Sequence, residues 1–135
     1  MVKKMNKLIV DLNKLFINNN KVHIVQAYDL LKNFNSEEWK QYVQLPPEGY
    51  TKRNLIRKNN FDYELCLYSW NPGSVCREKF DNMSVYKVLH GRIYQFENTY
   101  EGTVGIKNNV KYIDYNNFDS LQTNMVSHSL HIHLK

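Results

Sequence analysis

The sequence predicts an α+β fold that is mainly β, with helices first and an antiparallel sheet after them. Three observations carry this. Helical periodicity is confined to the first third of the 135 residues. From Tyr50 onward, short segments rich in β-branched and aromatic residues recur at roughly ten-residue spacing. No helical pattern interrupts that series, so a run of helices is followed by a run of strands.

The elements follow in order. Met5, Leu8, Ile9, Leu12, Leu15 and Phe16 share one helical face at i, i+3, i+4, i+7 spacing, and Asn18-Asn19-Asn20 ends that helix. Ile24, Ala27, Tyr28 and Leu31 make a second, shorter stripe. Ser36 reads as an N-cap, with Glu37 and Glu38 in the first turn of a third helix carrying Trp39, Tyr42 and Val43. Pro46-Pro47 stops it. Strands are expected from Thr51 to Arg57, Asp62 to Trp70, Met83 to Leu89, Arg92 to Glu97, Val104 to Lys107, Val110 to Asp114 and Ser127 to Leu134. The second is the clearest, with Tyr63, Leu65 and Leu67 on one face and Cys66, Tyr68 and Trp70 on the other. Asn71-Pro72-Gly73 and His90-Gly91 mark turns. Short strands at this density indicate a sandwich or small barrel. One domain spans residues 1–135, helical over 1–47 and β over 50–135, without repeat or linker.

Composition narrows the function classes. The hydrophobic fraction of 42% suits a soluble globular domain, and no apolar run approaches the length of about eighteen residues that a membrane span needs. The basic start carries no apolar segment of a secretory signal. Cys66 and Cys76 form no metal-binding spacing and read as free thiols, so a cytoplasmic location is the expectation. The net charge is +5, but the lysines are scattered among acids, with no basic tail or zinc-finger spacing. Nucleic acid is therefore not the expected partner. The abundance of Asn, Lys, Ile and Tyr points to an AT-rich genome and to no function.

Six words in order are more specific: Glu38-Trp39-x-x-Tyr42; Tyr50-Thr51-Lys52-Arg53-Asn54-Leu55-Ile56; Leu65-Cys66-Leu67-Tyr68-Ser69-Trp70-Asn71-Pro72-Gly73-Ser74; Tyr86-Lys87-Val88-Leu89-His90-Gly91; Tyr112-Ile113-Asp114; and Ser129-Leu130-His131-Ile132-His133. Over residues 20–133 the chain resembles the cysteine dioxygenase family of cupins. The resemblance implies a jelly-roll barrel with a helical N-terminal part. It also implies Fe(II) held by three histidines, and transfer of both atoms of O₂ to the thiol sulfur of cysteine.

The chain departs from that family at the metal. Counting back from Gly91 puts the family's H-x-H on Arg77 and Lys79, and counting on from Tyr112-Ile113-Asp114 puts the third histidine near Ser120. Arginine has no lone pair to donate, lysine is protonated unless buried, and serine is a poor ligand. The crosslinking cysteine of some members falls on Ser84. The family's carboxylate-binding arginine matches Arg53, although one extra residue separates it from the preceding tyrosine. The late Ser-x-His-x-Tyr line becomes Ser129-x-His131-x-His133. The sequence also ends short of the family's C-terminal extension, which predicts a more open pocket.

The local chemistry stays open at three points. Arg77 and Lys79 either join Arg53 and the histidines in an anion pocket or lie on a solvated strand edge, with Glu78 facing the other way. Cys76 is either a thiolate favoured by those cations or a small buried apolar group. His131 and His133 share a face and, with Cys76 or Asp119, could be imagined as a new metal site; His128 has the opposite parity. The reading this favours is a divergent cupin that has lost iron and oxygenation. Its expected roles are binding a small anion or amino acid, or meeting a protein partner or a second copy of itself. The candidate pocket residues are Arg53, Cys76, Arg77, Lys79, Ser129, His131 and His133, with no cofactor. The alternative is an iron-dependent thiol dioxygenase with an unusual ligand set.

Overall fold

A computed structural model describes residues 4–18, 24–56, 63–98 and 102–134. Helices α1 (Lys4–Asn18) and α2 (Ile24–Asn33) precede a short 3₁₀ helix, Glu38–Tyr42. Among the described residues nine strands follow: β1 (Tyr50–Asn54), β2 (Tyr63–Trp70), β3 (Val75–Cys76), β4 (Ser84–His90), β5 (Arg92–Glu97), β6 (Thr103–Ile106), β7 (Val110–Ile113), β8 (Phe118–Gln122) and β9 (Ser127–Leu134). They form two antiparallel sheets in the orders β1-β2-β9-β4-β7 and β3-β8-β5-β6. The expected helix-then-strand order and jelly-roll architecture are present, with the two sheets facing each other rather than closing into one hydrogen-bonded barrel.

The period-2 alternation of β2 and β9 divides the core in two. One set of faces, with Leu65, Leu67, Leu130 and Ile132, packs under Leu8 and Leu12 of α1 and Ala27 and Leu31 of α2. The other set, with Cys66, Tyr68 and Trp70, packs between the sheets against Tyr86, Val88, Ile93 and Leu121. The helices thus cover the outer face of the five-stranded sheet. Lys87 is buried beneath them, and its Nζ donates to the backbone oxygens of Lys32, at 3.4 Å, and of Phe34. These carbonyls lie at the C-terminal end of α2, where an ammonium satisfies acceptors that the helix cannot.

Three expectations are corrected. The third helix is a five-residue 3₁₀ helix, and the chain is already extended at Val43 after it; Ser36 Oγ still accepts the Glu38 N–H, at 3.1 Å. Strand β8 was not expected, since Phe118-Asp119-Ser120-Leu121-Gln122 does not alternate. Its pairs Phe96↔Ser120 and Glu97↔Phe118 leave Asp119 bulged, so Phe118 and Leu121 both reach the core. Arg77 and Lys79 do not lie on a strand: β3 stops at Cys76, and residues 77–80 are irregular. The expected boundaries at Arg57 and Asp62, and Asn19-Asn20, lie outside the described residues.

Gly91 joins β4 of one sheet to β5 of the other with φ +81°. A Cβ there would sit 2.6 Å from the Val126 carbonyl oxygen and against the Ser127 side chain. Gly91→Ala is expected to destabilise the fold by at least about 2 kcal/mol, from left-handed backbone and collision together. Urea unfolding checks this; an unchanged midpoint would show that the turn relaxes freely.

Candidate functional site

Strand β9 is central in its sheet, and it sends Ser129, His131 and His133 into the space between the sheets. All three are essentially solvent-free. Two hydrogen-bonded chains hold them. In the first, Tyr115 Oη donates to Ser84 Oγ at 2.8 Å, Ser84 Oγ meets His133 Nδ1 at 2.6 Å, and His133 Nε2 meets Tyr68 Oη at 3.1 Å. Because Ser84 accepts from Tyr115, its own proton is free for Nδ1, and Nε2–H then donates to Tyr68. In the second, Trp70 Nε1–H donates to Ser129 Oγ at 3.0 Å, and Ser129 Oγ meets His131 Nε2 at 2.7 Å. His131 Nδ1 has no partner among the described residues.

Aromatic rings fill the rest. Tyr86 stacks on His131 with centroids 4.8 Å apart, and Tyr68 lies 4.1 Å from the same ring. Phe80 comes from the irregular stretch after β3 and stacks on His133 at 3.9 Å. Lys52 closes over it, with Nζ 4.6 Å from the Phe80 ring, 3.4 Å from Glu64 and 3.8 Å from Glu78. What remains is a cavity of about 10 Å³, bordered by Cys76, Glu78, Phe80, His131 and His133. That is room for no more than a water-sized group.

Electrostatics agree with this packing. Burial, then the Lys52 charge, pushes the protonation of His133 down to about 3. Burial, with His133 and Lys52 beside it, drives His131 down as well. Both are neutral near pH 7. Burial raises the thiols of Cys66, to about 12, and Cys76. A raised thiol is the opposite of what a reactive cysteine needs.

The sequence-predicted residues part company here. Cys76, Ser129, His131 and His133 do gather between the sheets. Arg53 does not, and its expected inward position is corrected. It pairs with Leu67 on the helix side, is exposed, and donates from Nη1 to the Tyr42 carbonyl at 3.2 Å. Lys52 pairs with Tyr68 and takes the inward position instead. Arg77 is exposed and bridges to Asp119 at 3.3 Å, and Lys79 is also exposed. The inward parity belongs to Cys76, Glu78 and Phe80. Ser120 is buried, but Leu121 beside it is the residue turned to the cavity. The imagined anion pocket of Arg53, Arg77 and Lys79 is therefore not assembled.

The family model for cysteine dioxygenase type I matches residues 2–134. The chain belongs to that family. Solved cupin structures share the fold: a cupin superfamily protein from Desulfitobacterium hafniense (TM-score 0.61, 13% identity, covering 70% of this chain and 84% of that one). A cupin-2 domain protein from Shewanella frigidimarina gives 0.58 at 12% identity, covering 77% and 96%. A conserved protein of unknown function from Streptococcus pyogenes gives 0.62 at 14%, covering 87% and 92%. No curated protein matches.

Family membership implies iron, and the donor set does not fit it. Iron(II) in such sites wants neutral imidazoles around open positions. In this cysteine dioxygenase family member both His133 nitrogens face hydroxyls, His131 offers one nitrogen, and Arg77, Lys79 and Ser120 face elsewhere. No three His, Cys, Asp or Glu side chains converge for a metal among the described residues. Sequence reasoning missed Lys52, Glu78 and Phe80. Anchoring the Tyr50-Thr51 word on its tyrosine, instead of on Arg53-Asn54, would have found Lys52.

Two outcomes test this geometry. Phe80→Ala should destabilise by about 2 kcal/mol, less than a fully buried phenylalanine because the ring is only half-buried. Chemical denaturation measures it, and a value near zero would mean that Phe80 does not seal the site. Second, protonation of His133 and of His128, which burial and His90 hold at about 4, is disfavoured in the fold. Unfolded imidazoles titrate near 6.5. The unfolded chain thus binds more protons below that pH, and stability falls as pH drops from about 6.5 through 4 towards 3. Melting temperatures across this range, compared with His133→Gln, check the sign; the variant should lose part of the slope.

Proposed function

We propose that this chain is a non-oxygenating member of the cysteine dioxygenase family, kept as a protein-binding scaffold. The observation that carries the reading is Phe80 stacked on His133 beneath the Lys52 ion pairs. The ring and the salt-linked lysine cover His133, and the cavity left between the sheets is about 10 Å³, too small for an amino acid. An amino-acid pocket is not supported, because the three cations expected to form it point to solvent or to the helices.

The surface supports a binding role. The helices cover only one sheet. On the outer face of the other, Val75, Gln122, Tyr94 and Val104 lie in one cross-strand row, and Ile106 stands in the next. Val75, Val104 and Ile106 are all exposed. Apolar side chains gathered on an uncovered face are typical of contact surfaces. No described helix is long and apolar enough to cross a membrane.

The rival reading is an iron-dependent thiol dioxygenase with a rearranged ligand set. It draws on one observation: His131 Nδ1 is buried, lacks a partner among the described residues, and belongs to a ring bordering the same cavity as Cys76 and Glu78. Reconstitution with Fe(II) separates the two. The expected outcome is iron far below one equivalent and no cysteine-dependent O₂ uptake. Iron near one equivalent, with cysteine sulfinate accumulating as O₂ is consumed, would overturn the scaffold reading.

A further inference from the structure

We propose that His90 and His128 form a binding site for a divalent transition-metal ion of the copper(II), nickel(II) and zinc(II) class, outside the space between the sheets. The two residues are cross-strand partners of β4 and β9, brought opposite each other by the irregularity that follows Val88. Their ring centroids are 5.9 Å apart with planes inclined at 35°. A metal–nitrogen bond of about 2.0–2.1 Å puts the ion about 3 Å from each ring centre, so two imidazoles bent around one ion have centres about 5–6 Å apart. The observed spacing falls in that range.

The surroundings complete the argument. His128 Nδ1 lies 3.3 Å from Ser69 Oγ. With its proton on Nδ1, directed at Ser69, the ring keeps its Nε2 lone pair for an ion, the usual way an outer partner fixes a ligating tautomer. Trp39 packs on the His128 ring at 5.3 Å and holds its orientation. His128 is 7% exposed, whereas His90 stands in solvent and gives an ion its way in. Burial and the neighbouring His90 both keep His128 neutral at ordinary pH. The Glu37 carboxylate interacts with His90 and adds negative charge. It also pairs with Lys40 at 2.6 Å and feels Lys107, so the field is mixed in sign. No third His, Cys, Asp or Glu converges on the pair among the described residues, so water fills the other positions.

This pair has nothing to do with the family's iron position. His128 is on the opposite face of β9 from His131 and His133, in the layer of Trp39 and the helices. Within this class of ions, copper(II) is the tightest binder.

Trp39 supplies the readout, since bound copper(II) quenches a nearby indole. Untagged protein is titrated with copper(II) chloride while tryptophan fluorescence is followed. The expected result is saturable quenching at one equivalent, with calcium(II) and magnesium(II) without effect. His90→Ala and Ser69→Ala should each weaken binding by about tenfold or more. Trp39→Phe should remove most of the quenching while electron paramagnetic resonance still reports copper bound by two nitrogens. His90 is exposed, so its variant tests the idea even if His128→Gln fails to fold. Unchanged affinity in His90→Ala, or quenching that survives Trp39→Phe, would overturn the proposal.

Discussion

Strand β9 is the constraint on which the rest depends. It is the middle strand of the five-stranded sheet, flanked by β2 and β4, and seven of its eight residues are buried. Both of its faces are therefore interior. One face is apolar beyond His128 at its start: Leu130 and Ile132, worth about 1.5–3 kcal/mol each when buried, anchor the helices. The other is polar, carrying Ser127, Ser129, His131 and His133. A polar face between two sheets is stable only where its donors and acceptors are paired, since each unpaired group costs about 1–3 kcal/mol. Trp70, Ser84 and Tyr68 are where they are, in part, to meet that requirement.

The requirement competes with chemistry. An imidazole whose nitrogens are engaged by hydroxyls is a good structural group and a poor ligand. His133 has gone fully that way. His131 has gone halfway, and its free Nδ1 is the buried side-chain atom among the described residues that the packing does not satisfy. Phe80 and Lys52 reinforce the structural role. The ring excludes water from His133, and the lysine's charge, held by Glu64 and Glu78, further disfavours an imidazolium beneath it. A cation, a ring and a neutral imidazole stacked in that order form a self-consistent plug. In that plug the positive charge near the histidines is the lysine's.

Much of this was legible in the residues, and the misses share one cause. The alternation of Tyr63 to Trp70 and the word Ser129-Leu130-His131-Ile132-His133 assigned both faces of β2 and β9 correctly, because both strands are regular over eight residues. Parity failed where strands are short or bulged. β3 ends at Cys76, so counting back from Gly91 gave Arg77 and Lys79 the inward places that Cys76, Glu78 and Phe80 hold. The inserted residue in Tyr50-Thr51-Lys52-Arg53 exchanged Lys52 for Arg53 in the same way. The bulge at Asp119 hid β8 altogether. A one-residue slip turns every side chain to the other face, so word matching locates a site in the chain before it says which residues enter it.

The same parity rule separates two histidine environments on a single strand. His131 and His133 point between the sheets, where hydroxyls and rings enclose them. His128 points the other way, into the end of the helix layer, where a serine orients it, a tryptophan covers it, and an exposed histidine stands opposite. Enclosure decides what each can do. A fully enclosed imidazole can exchange neither proton nor ligand without moving its neighbours, and interiors packed to crystal-like density resist that movement. The His128 ring packs against Trp39 and Ser69 and lies beside the exposed His90. On this strand the two histidines between the sheets are tied into hydroxyl and ring contacts, whereas the histidine near its start lies beside an exposed one.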